Sequence, residues 1–230
     1  MALRPALNRS LLRMALFALG KELVFPPVSL SEPDGLLAMG GDLSPARLLL
    51  AYRQGIFPWF DGDTPLWWCP DPRFVIFPEE LKISKSMKQL FRNGSFEFSV
   101  DQAFPEVIEQ CKTSYRKDQA GTWITPAVKE AYINLHQLGY AHSAEAWQNG
   151  ELAGGCYGIR IGNVFFGESM FSKVSNASKF AFLSYAQQLK EDGVTLIDCQ
   201  VYTPHLESLG AQMIPREQFI RLLKEGTGQA

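Results

Sequence analysis

Two polar residues, Asp198 and Gln200, follow a short apolar run near the end of the sequence. The run Val194-Thr-Leu-Ile197 is aliphatic and β-branched, which predicts a buried strand that continues into both polar residues. A buried carboxylate is costly unless it is paired or used in chemistry. Residues two apart in a strand point to the same face. We therefore expect Asp198 and Gln200 to share one face and to mark a reaction site.

A third polar residue, Glu168, lies in another predicted strand, 164–171. A long helix, 177–190, separates the two strands, and this order predicts a crossover with locally parallel pairing. The carboxyl ends of the strands would then lie together, at the edge where open α/β sheets bind ligands. Taken singly, Asp198 could cap a nearby amide and Glu168 could be a solvated strand end, but the three together favour a site.

Other chemistries find less support in the sequence. Cys199 with His205 could form a thiolate nucleophile and its base, but Cys199 is predicted on the strand face opposite to Asp198 and Gln200. There is no cluster of His and Cys that would ligate a metal. The segment 172–179 lacks the glycine-rich turn that holds the pyrophosphate of coenzyme A.

One predicted helix, 85–92, is capped by Ser84 and carries a basic face. Its Lys85, Lys88 and Arg92 fall on one side. The face could simply be solvated, or it could contact nucleic-acid phosphates. The nearby tryptophans favour the second interpretation, because aromatic rings beside cations hold unpaired bases.

The remaining elements predict a mixed α/β (α+β) fold in two parts. Residues 1–72 would form a small N-terminal domain, with 1–20 as a variable lead in which Met14 is a possible second start. In the first part, Ser44 would cap a helix that Pro45 opens. Residues 73–230 would form the larger domain, with helices at 126–138, 204 onward and 216–224, and a hairpin at Asn149-Gly150. The first of these helices would begin with Thr125-Pro126 and carry Tyr132 and Leu138 inward, and the long helix 177–190 would be capped from Ser175 or Asn176. The loops of the first part are rich in aromatic residues, which could form its core or line a cleft. These residues are Trp59, Phe60, Trp67 and Trp68.

Composition limits the class of protein. The 230 residues are 46% hydrophobic, with a net charge of −2, so nothing suggests a chain coated by nucleic acid. The four widely spaced cysteines predict reduced thiols in a cytoplasmic protein. No stretch approaches the ~18 apolar residues of a membrane span, so we expect no membrane partner.

Several long motifs resemble the leucyl/phenylalanyl-tRNA–protein transferase family. The resemblance runs from about Phe25 to about Glu217. It rests on Glu32–Leu43, Tyr52 with Gly55–Phe60, Trp67–Arg73, Gly121–Thr125, Ala141-His-Ser143, Gly167–Ser172 and Ile197–Gln200.

The resemblance implies an aminoacyltransferase with an acetyltransferase-like larger domain. Such an enzyme moves leucine or phenylalanine, less often methionine, from its tRNA to the α-amine of proteins that begin with Arg or Lys, and so marks them for degradation. The partners would be leucyl-, phenylalanyl- and methionyl-tRNA and those acceptor proteins. Because the aminoacyl ester is already activated, no ATP, metal or other cofactor is expected.

The resemblance also assigns residues. Asp198 and Gln200 match the proposed catalytic pair of the family, and Glu168 matches a glutamate of its site. In the mechanism that this implies, Asp198 would hold the acceptor amine and take up proton density, and Gln200 would orient the amine or steady the developing tetrahedral centre. Glu168 would help to read the basic end of the acceptor, because a carboxylate suits a guanidinium or ammonium group. Trp59 and Trp123, with Tyr52 beside them, would lie near the terminal adenosine and the aminoacyl group. The apolar amino-acid pocket would consist of Cys156, Met170, Phe182, Tyr185 and Ile197.

Two alternatives remain open on the sequence. An acyl-CoA N-acetyltransferase would share the larger domain but needs the missing pyrophosphate turn. A non-catalytic module that binds RNA ends would use the tryptophans and the basic helix without needing Asp198 and Gln200.

Overall fold

The computed structural model describes residues 16–114 and 123–228, and this part of the chain forms two β-sheets and seven α-helices. Residues 1–15 of the predicted variable lead, with Met14, and Gly121-Thr122 of one motif lie outside the described residues. The mixed α/β fold predicted from the sequence is confirmed.

The smaller sheet lies in the N-terminal part. Its four strands are ordered β1-β2-β4-β3, with bounds Phe17–Leu19 (β1), Leu36–Gly40 (β2), Phe57–Pro58 (β3) and Leu66–Trp68 (β4). Helix α1 (Pro45–Arg53) connects β2 to β3. As predicted, the Ser44 side chain accepts a hydrogen bond from the Arg47 amide, and Pro45 opens the helix.

The larger sheet has seven strands in the order β11-β5-β10-β9-β8-β7-β6. Their bounds are Arg73–Ile76 (β5), Glu97–Val100 (β6), Ala141–Gln148 (β7), Glu151–Ile161 (β8), Val164–Ser172 (β9), Leu196–Gln200 (β10) and Gln212–Ile214 (β11). β9 and β10 pair in parallel, as the long intervening helix predicts, whereas the other neighbours in this sheet are antiparallel. Asn149 and Gly150 form the β7–β8 turn with φ of 55° and 78°, as expected for a type I′ hairpin.

The other helices are α2 (Lys85–Arg92), α3 (Phe104–Thr113), α4 (Pro126–Gln137), α5 (Ala177–Glu191), α6 (Pro204–Glu207) and α7 (Arg216–Thr227). The predicted caps of α2 and α4 are confirmed, since Ser84 accepts from the Met87 amide and Thr125 from the Val128 amide. The prediction that α4 includes residue 138 is wrong, because the helix ends at Gln137 and Leu138 is exposed. Asn176, one of the two predicted capping positions, is the N-cap residue of α5, but its side chain makes no capping hydrogen bond, and Ser172 Oγ accepts from the Ser178 amide instead.

Two apolar clusters cover the larger sheet, one on each face. The first cluster joins both sheets, because it contains Tyr52 and Trp67 together with Val75, Phe104 and Tyr132. The second lies under α5 and α2. The division at residues 72 and 73 falls between β4 and β5 and stays a prediction. All four cysteines are free and buried. Within the described ranges, no helix has both the length and the apolar character needed to cross a membrane.

Candidate functional site

A cavity of about 1000 Å³ opens where β9 and β10 diverge. The two parallel strands pair from Leu196 opposite Val164 as far as Asp198 opposite Phe166, and beyond that point no pairing continues. The gap lies at the carboxyl ends of both strands, the position where ligands bind in open α/β sheets. Its lining includes side chains from β8, β9, β10, α5 and α6 and from the loops that carry Trp59 and Trp123.

Glu168 reaches the cavity because β9 has a bulge at this position. Tyr157 pairs with Ser169 and Gly158 pairs with Gly167, so Glu168 has no residue opposite it on β8. Gly158 is required here, since a Cβ at this position would lie 2.2 Å from the carbonyl oxygen of Phe166.

The Glu168 carboxylate is held by two tyrosine hydroxyls. Tyr52 of α1 is hydrogen-bonded to Oε1 at 2.7 Å, and Tyr132 of α4 to Oε2 at 3.0 Å. Burial raises the pKa of Glu168 to about 7, although both hydroxyls and Arg73 act in the opposite direction. The group therefore titrates near neutral pH at the wall of the cavity.

Asp198 does not line the cavity. Its side chain is fully buried and is paired with the equally buried Arg73, whose Nε and Nη2 donate to Oδ1 at 2.7 Å and to Oδ2 at 2.6 Å. The Arg73 guanidinium also lies over the rings of Phe57 and Phe219, at 4.8 and 4.5 Å from their centroids. Burial acts to lower the pKa of Arg73, but the adjacent carboxylate outweighs it and the pKa is raised. Both groups are thus held as an internal ion pair.

The prediction that Asp198 and Gln200 share a strand face is wrong. Asp198 lies opposite Val75 on β5, but Gln200 lies opposite Phe74, so a bulge at Cys199 shifts the register by one residue. Residues paired across two strands point to the same face of the sheet, whereas consecutive residues of one strand point to opposite faces. Phe74 and Val75 are consecutive, so their partners Gln200 and Asp198 point to opposite faces. Gln200 therefore faces the cavity and Asp198 faces away from it, which the alternation of an unbroken strand could not reveal.

Gln200 is held in an unusual backbone conformation. Its φ is 58°, and its amide N–H donates to Asp198 Oδ1 at 3.0 Å. Non-glycine residues rarely adopt positive φ, and when they do the surrounding structure enforces it. The side-chain Nε2 is buried and has no partner among the described residues. Gln200 thus lines the cavity and carries an amide donor that no described residue uses.

The predicted aromatic and apolar residues mostly meet at this cavity. Trp59 lies at the edge of the cavity and is 38% exposed, and Trp123 lies in the cavity wall and is nearly buried. The floor contains Cys156, Met170, Phe182 and Ile197. The N-terminal aromatic residues were predicted to form a core or to line a cleft, and each interpretation is correct for some of them. Trp59 lines the cavity, whereas Phe60 and Trp67 are core residues.

Two residues predicted to bind substrate lie behind the cavity wall. Tyr52 is wholly buried and is not part of the lining; it reaches the site through its hydrogen bond to Glu168. Tyr185 packs edge-on against Phe165, with ring centroids 5.2 Å apart, and Phe165 is the residue that lines the cavity. Tyr185 therefore lies behind the Phe165 ring and does not itself line the cavity.

The cysteine–histidine alternative is not supported. Cys199 and His205 both line the cavity together with Gln200, so the prediction that Cys199 lies on the face opposite to Gln200 is wrong. However, burial raises the pKa of the Cys199 thiol far above its ordinary value, and its Sγ contacts the Ile197 carbonyl oxygen. Burial lowers the pKa of His205, so its imidazole is neutral, and its Nε2 is buried with no partner in the described part of the chain. A protonated thiol is not a nucleophile.

The predicted basic face is exposed. Lys85, Lys88 and Arg92 lie on the outer side of α2, which packs on the core through Met87. None of the three is in an ion pair in the ranges that the structure describes. Across the same ranges there is no group of three or more His, Cys, Asp or Glu that could hold a metal ion.

Sequence reasoning missed Arg73 and Tyr132. Arg73 opens the apolar run Arg73-Phe-Val-Ile-Phe77 and carried the same signal as Asp198, a charge beside a buried strand. Tyr132 was predicted only as an inward residue of α4, although a buried phenol needs a hydrogen-bond partner. Each completes a pair with a residue that the sequence did single out.

Comparison with known proteins agrees with the geometry. The profile of the leucyl/phenylalanyl-tRNA protein transferase family matches residues 75–224, and that of its N-terminal domain matches residues 41–71. The leucyl/phenylalanyl-tRNA–protein transferase of Syntrophus aciditrophicus is 56% identical over 213 residues, covering 92% of this chain and 89% of that protein. The protein of the same name from Chromobacterium violaceum is 57% identical over 210 residues, or 90% of each chain.

Similar solved structures include a GCN5-related N-acetyltransferase from Kribbella flavida. It is 12% identical with a TM-score of 0.38, and the match covers 75% of this chain and 61% of that one. This likeness is too weak to support a conclusion about function.

Proposed function

The chain belongs to the leucyl/phenylalanyl-tRNA protein transferase family, and we propose that it transfers leucine or phenylalanine from aminoacyl-tRNA to the amino terminus of proteins. The observation that carries this proposal is the match to the family along nearly the whole chain, with a cavity at the divergence of β9 and β10. We further propose that acceptors begin with Arg or Lys, that the product is marked for degradation, that methionyl-tRNA is a lesser donor, and that the enzyme acts in the cytoplasm.

The chemistry is attack by an amine on an ester carbonyl. The α-amine has an ordinary pKa of about 7.7–8.0, so the neutral form is available near neutral pH. Alignment of two reactants can remove roughly 7–11 kcal/mol of barrier. The C–N bond forms, the C–O bond to the ribose breaks, and one proton passes from nitrogen to the ribose oxygen. Because the ester is already activated, the reaction needs no ATP.

Gln200 is the residue that we place against the reacting ester. Gln200 lines the cavity, and its buried Nε2 lacks a partner among the described residues, so a small rotation of the side chain would let it donate to the oxygen on which charge develops. Asp198 is already engaged by Arg73 Nε and Nη2 and by the Gln200 amide. We propose that Asp198 acts through Gln200, by fixing its backbone, instead of holding the amine directly.

The cavity offers separate surfaces for the parts of the substrate. The floor of Cys156, Met170, Phe182 and Ile197 suits an apolar side chain such as that of leucine or phenylalanine. The exposed ring of Trp59 can stack on the terminal adenosine, and Trp123 lies in the wall of the same cavity. A carboxylate at Glu168 suits the guanidinium or ammonium of an acceptor that begins with Arg or Lys.

The transfer reaction is tested directly with labelled phenylalanine on its tRNA. Two peptides, one beginning with Arg and one with Ala, are supplied without ATP or coenzyme A. We expect product with the Arg peptide alone. Product with both would remove the acceptor rule but keep the reaction. No product with either, while the charged tRNA still binds, would favour a module that binds RNA ends.

The basic face of α2 is expected to contact tRNA phosphates. Replacing Lys85, Lys88 and Arg92 with Gln should flatten the slope of log K against log salt for tRNA binding by about 2–3, because each lost phosphate contact removes about 0.7–0.9. The amino-acid preference should not change. Filter binding at several salt concentrations measures the slope.

The control for this prediction is a change of net charge elsewhere. Arg221→Gln with Lys224→Gln alters two exposed cations on α7. If this control flattens the slope as much per charge, or if the α2 variant keeps the wild-type slope, the basic face is merely solvated.

A further inference from the structure

Glu168, Tyr52 and Tyr132 form a closed ring of three oxygen–oxygen contacts. The two contacts to the carboxyl group are 2.7 and 3.0 Å long, and the third joins the two tyrosine hydroxyls to each other at 2.5 Å. The members come from α1, α4 and the bulge of β9. All three contacts are within hydrogen-bonding distance, so each needs one hydrogen.

The number of available hydrogens decides the charge of the ring. Burial raises the pKa of Tyr52 and of Tyr132 well above the ordinary value, so each phenol keeps its proton. Two phenols supply two hydrogens for three contacts. If Glu168 is ionised, one contact brings two oxygen lone pairs together, whereas a protonated Glu168 supplies the third hydrogen.

The charges around the ring do not oppose a neutral Glu168. Arg73 of β5 favours its ionised form and Asp198 of β10 disfavours it, but these two are paired with each other. Burial is the largest influence and favours the neutral acid. The side chain still lines the cavity, so a ligand can reach it.

We propose that Tyr52 and Tyr132 hold Glu168 as a neutral carboxylic acid in the empty site, and that the cationic first residue of an acceptor binds by displacing this proton. The inference rests on the proposed function and names how its acceptor is selected. On binding, the Glu168 O–H bond breaks, the proton passes to solvent, and the carboxylate pairs with a guanidinium or ammonium group. Both phenols then donate to the carboxylate, and Tyr132 becomes a positioning residue for acceptor recognition.

The protonation of the ring is tested without activity, by thermal unfolding of the free protein between pH 4 and 9. The ordinary pKa of Glu is about 4.3 and the folded value is about 7, so the folded state holds the extra proton between these values. The resulting stability is present below about pH 4.3 and is lost as the pH rises through 7. The unfolding temperature of wild type relative to Glu168→Gln should therefore fall over this window, because the amide supplies its hydrogens at every pH. A difference that is constant with pH would overturn the proposal.

Tyr132→Phe distinguishes the ring from a simple donor to a carboxylate. Removing a hydroxyl that only stabilises the ionised form would raise the pKa of Glu168. Without the Tyr132 hydroxyl, only the contact between Tyr52 and Glu168 remains, and the Tyr52 hydrogen is enough for it. The pKa of Glu168, and with it the pH at which stability is lost, should therefore fall below 7. Tyr140→Phe serves as the control, because Tyr140 is a partly buried tyrosine between α4 and β7, and it should leave the midpoint in place. An upward shift in Tyr132→Phe would overturn the ring.

The acceptor step is tested with the Arg peptide and charged tRNA. Below pH 7 the KM for the peptide should rise roughly tenfold per pH unit, the limit for displacing one proton, while kcat at saturating peptide changes less. Glu168→Gln should lose this extra dependence and the preference for Arg over Ala. If unfolding shows the proton but KM has no such dependence, acceptor binding does not displace it. If no peptide reacts at all, the proposed function fails and the unfolding result still stands on its own.

Discussion

Asp198→Asn is expected to lower the free energy of unfolding by about 3–5 kcal/mol, because it leaves the buried Arg73 cation without its counter-charge. Both side chains are fully buried, and Arg73 has no route to solvent between the rings of Phe57 and Phe219. Denaturation by guanidinium chloride measures the loss. A matched control is Asp192→Asn, which weakens the more exposed Arg160–Asp192 pair and should cost less than about 1 kcal/mol.

A double variant separates the charge from the packing. Arg73→Met with Asp198→Leu removes both charges and keeps apolar volume against the two rings, so most of the lost stability should return. Transfer activity should not return with it, because the Gln200 amide has still lost the acceptor that Asp198 Oδ1 provides. If Asp198→Asn unfolds like wild type, or if the stable double variant is fully active, the ion pair does not support the site.

The ends of the strands and helices in the larger part of the chain could be predicted from the local sequence wherever a cap or turn residue marks them. Ser84 and Thr125 cap their helices as predicted, and Asn149-Gly150 closes a hairpin. Helix α3 carries no such mark, and we did not predict it. Its N-cap residue, Ala103, makes no side-chain cap, and its amide instead lies 3.4 Å from Glu145 Oε1 on β7. A cap supplied from 42 residues away cannot be seen in a local pattern.

The sequence predicted which residues belong to the site better than it predicted how their side chains are oriented. Asp198 was singled out because burying a charge in an apolar strand is unfavourable. Its ion pair with Arg73 offsets that unfavourable burial. The bulges at Glu168 and Cys199 depend on the pairing of β9 with β8 and of β10 with β5, so no alternation within one strand indicates them. The bulge at Cys199 turns Gln200 toward the cavity, whereas Asp198, which precedes the bulge, stays on the opposite face. Sequence periodicity assumes an unbroken ladder, and this site lies where the ladder breaks.

Gln200→Gly is expected to reduce kcat by about 10²–10³, the typical loss when one donor to a developing oxyanion is removed. The KM for aminoacyl-tRNA should change little, since the tryptophans and the apolar floor remain. Glycine is the right replacement because Gln200 has a φ of 58°, which glycine adopts without strain. The protein should therefore unfold with wild-type free energy, to within about 1 kcal/mol, and the loss of rate can be assigned to the missing amide.

Asn149→Gly provides the matched control for that variant. Asn149 also has a positive φ, 55°, but lies in the β7–β8 turn and is not part of the cavity lining. It should change backbone freedom in the same way and leave kcat unchanged. Single-turnover transfer with saturating charged tRNA measures the chemical step for both proteins. If Gln200→Gly keeps its kcat, the free Nε2 donor has no part in the reaction, and the ester must be stabilised by another group of the cavity wall. His205, whose Nε2 also lacks a partner in the described structure, would then be the next residue to replace.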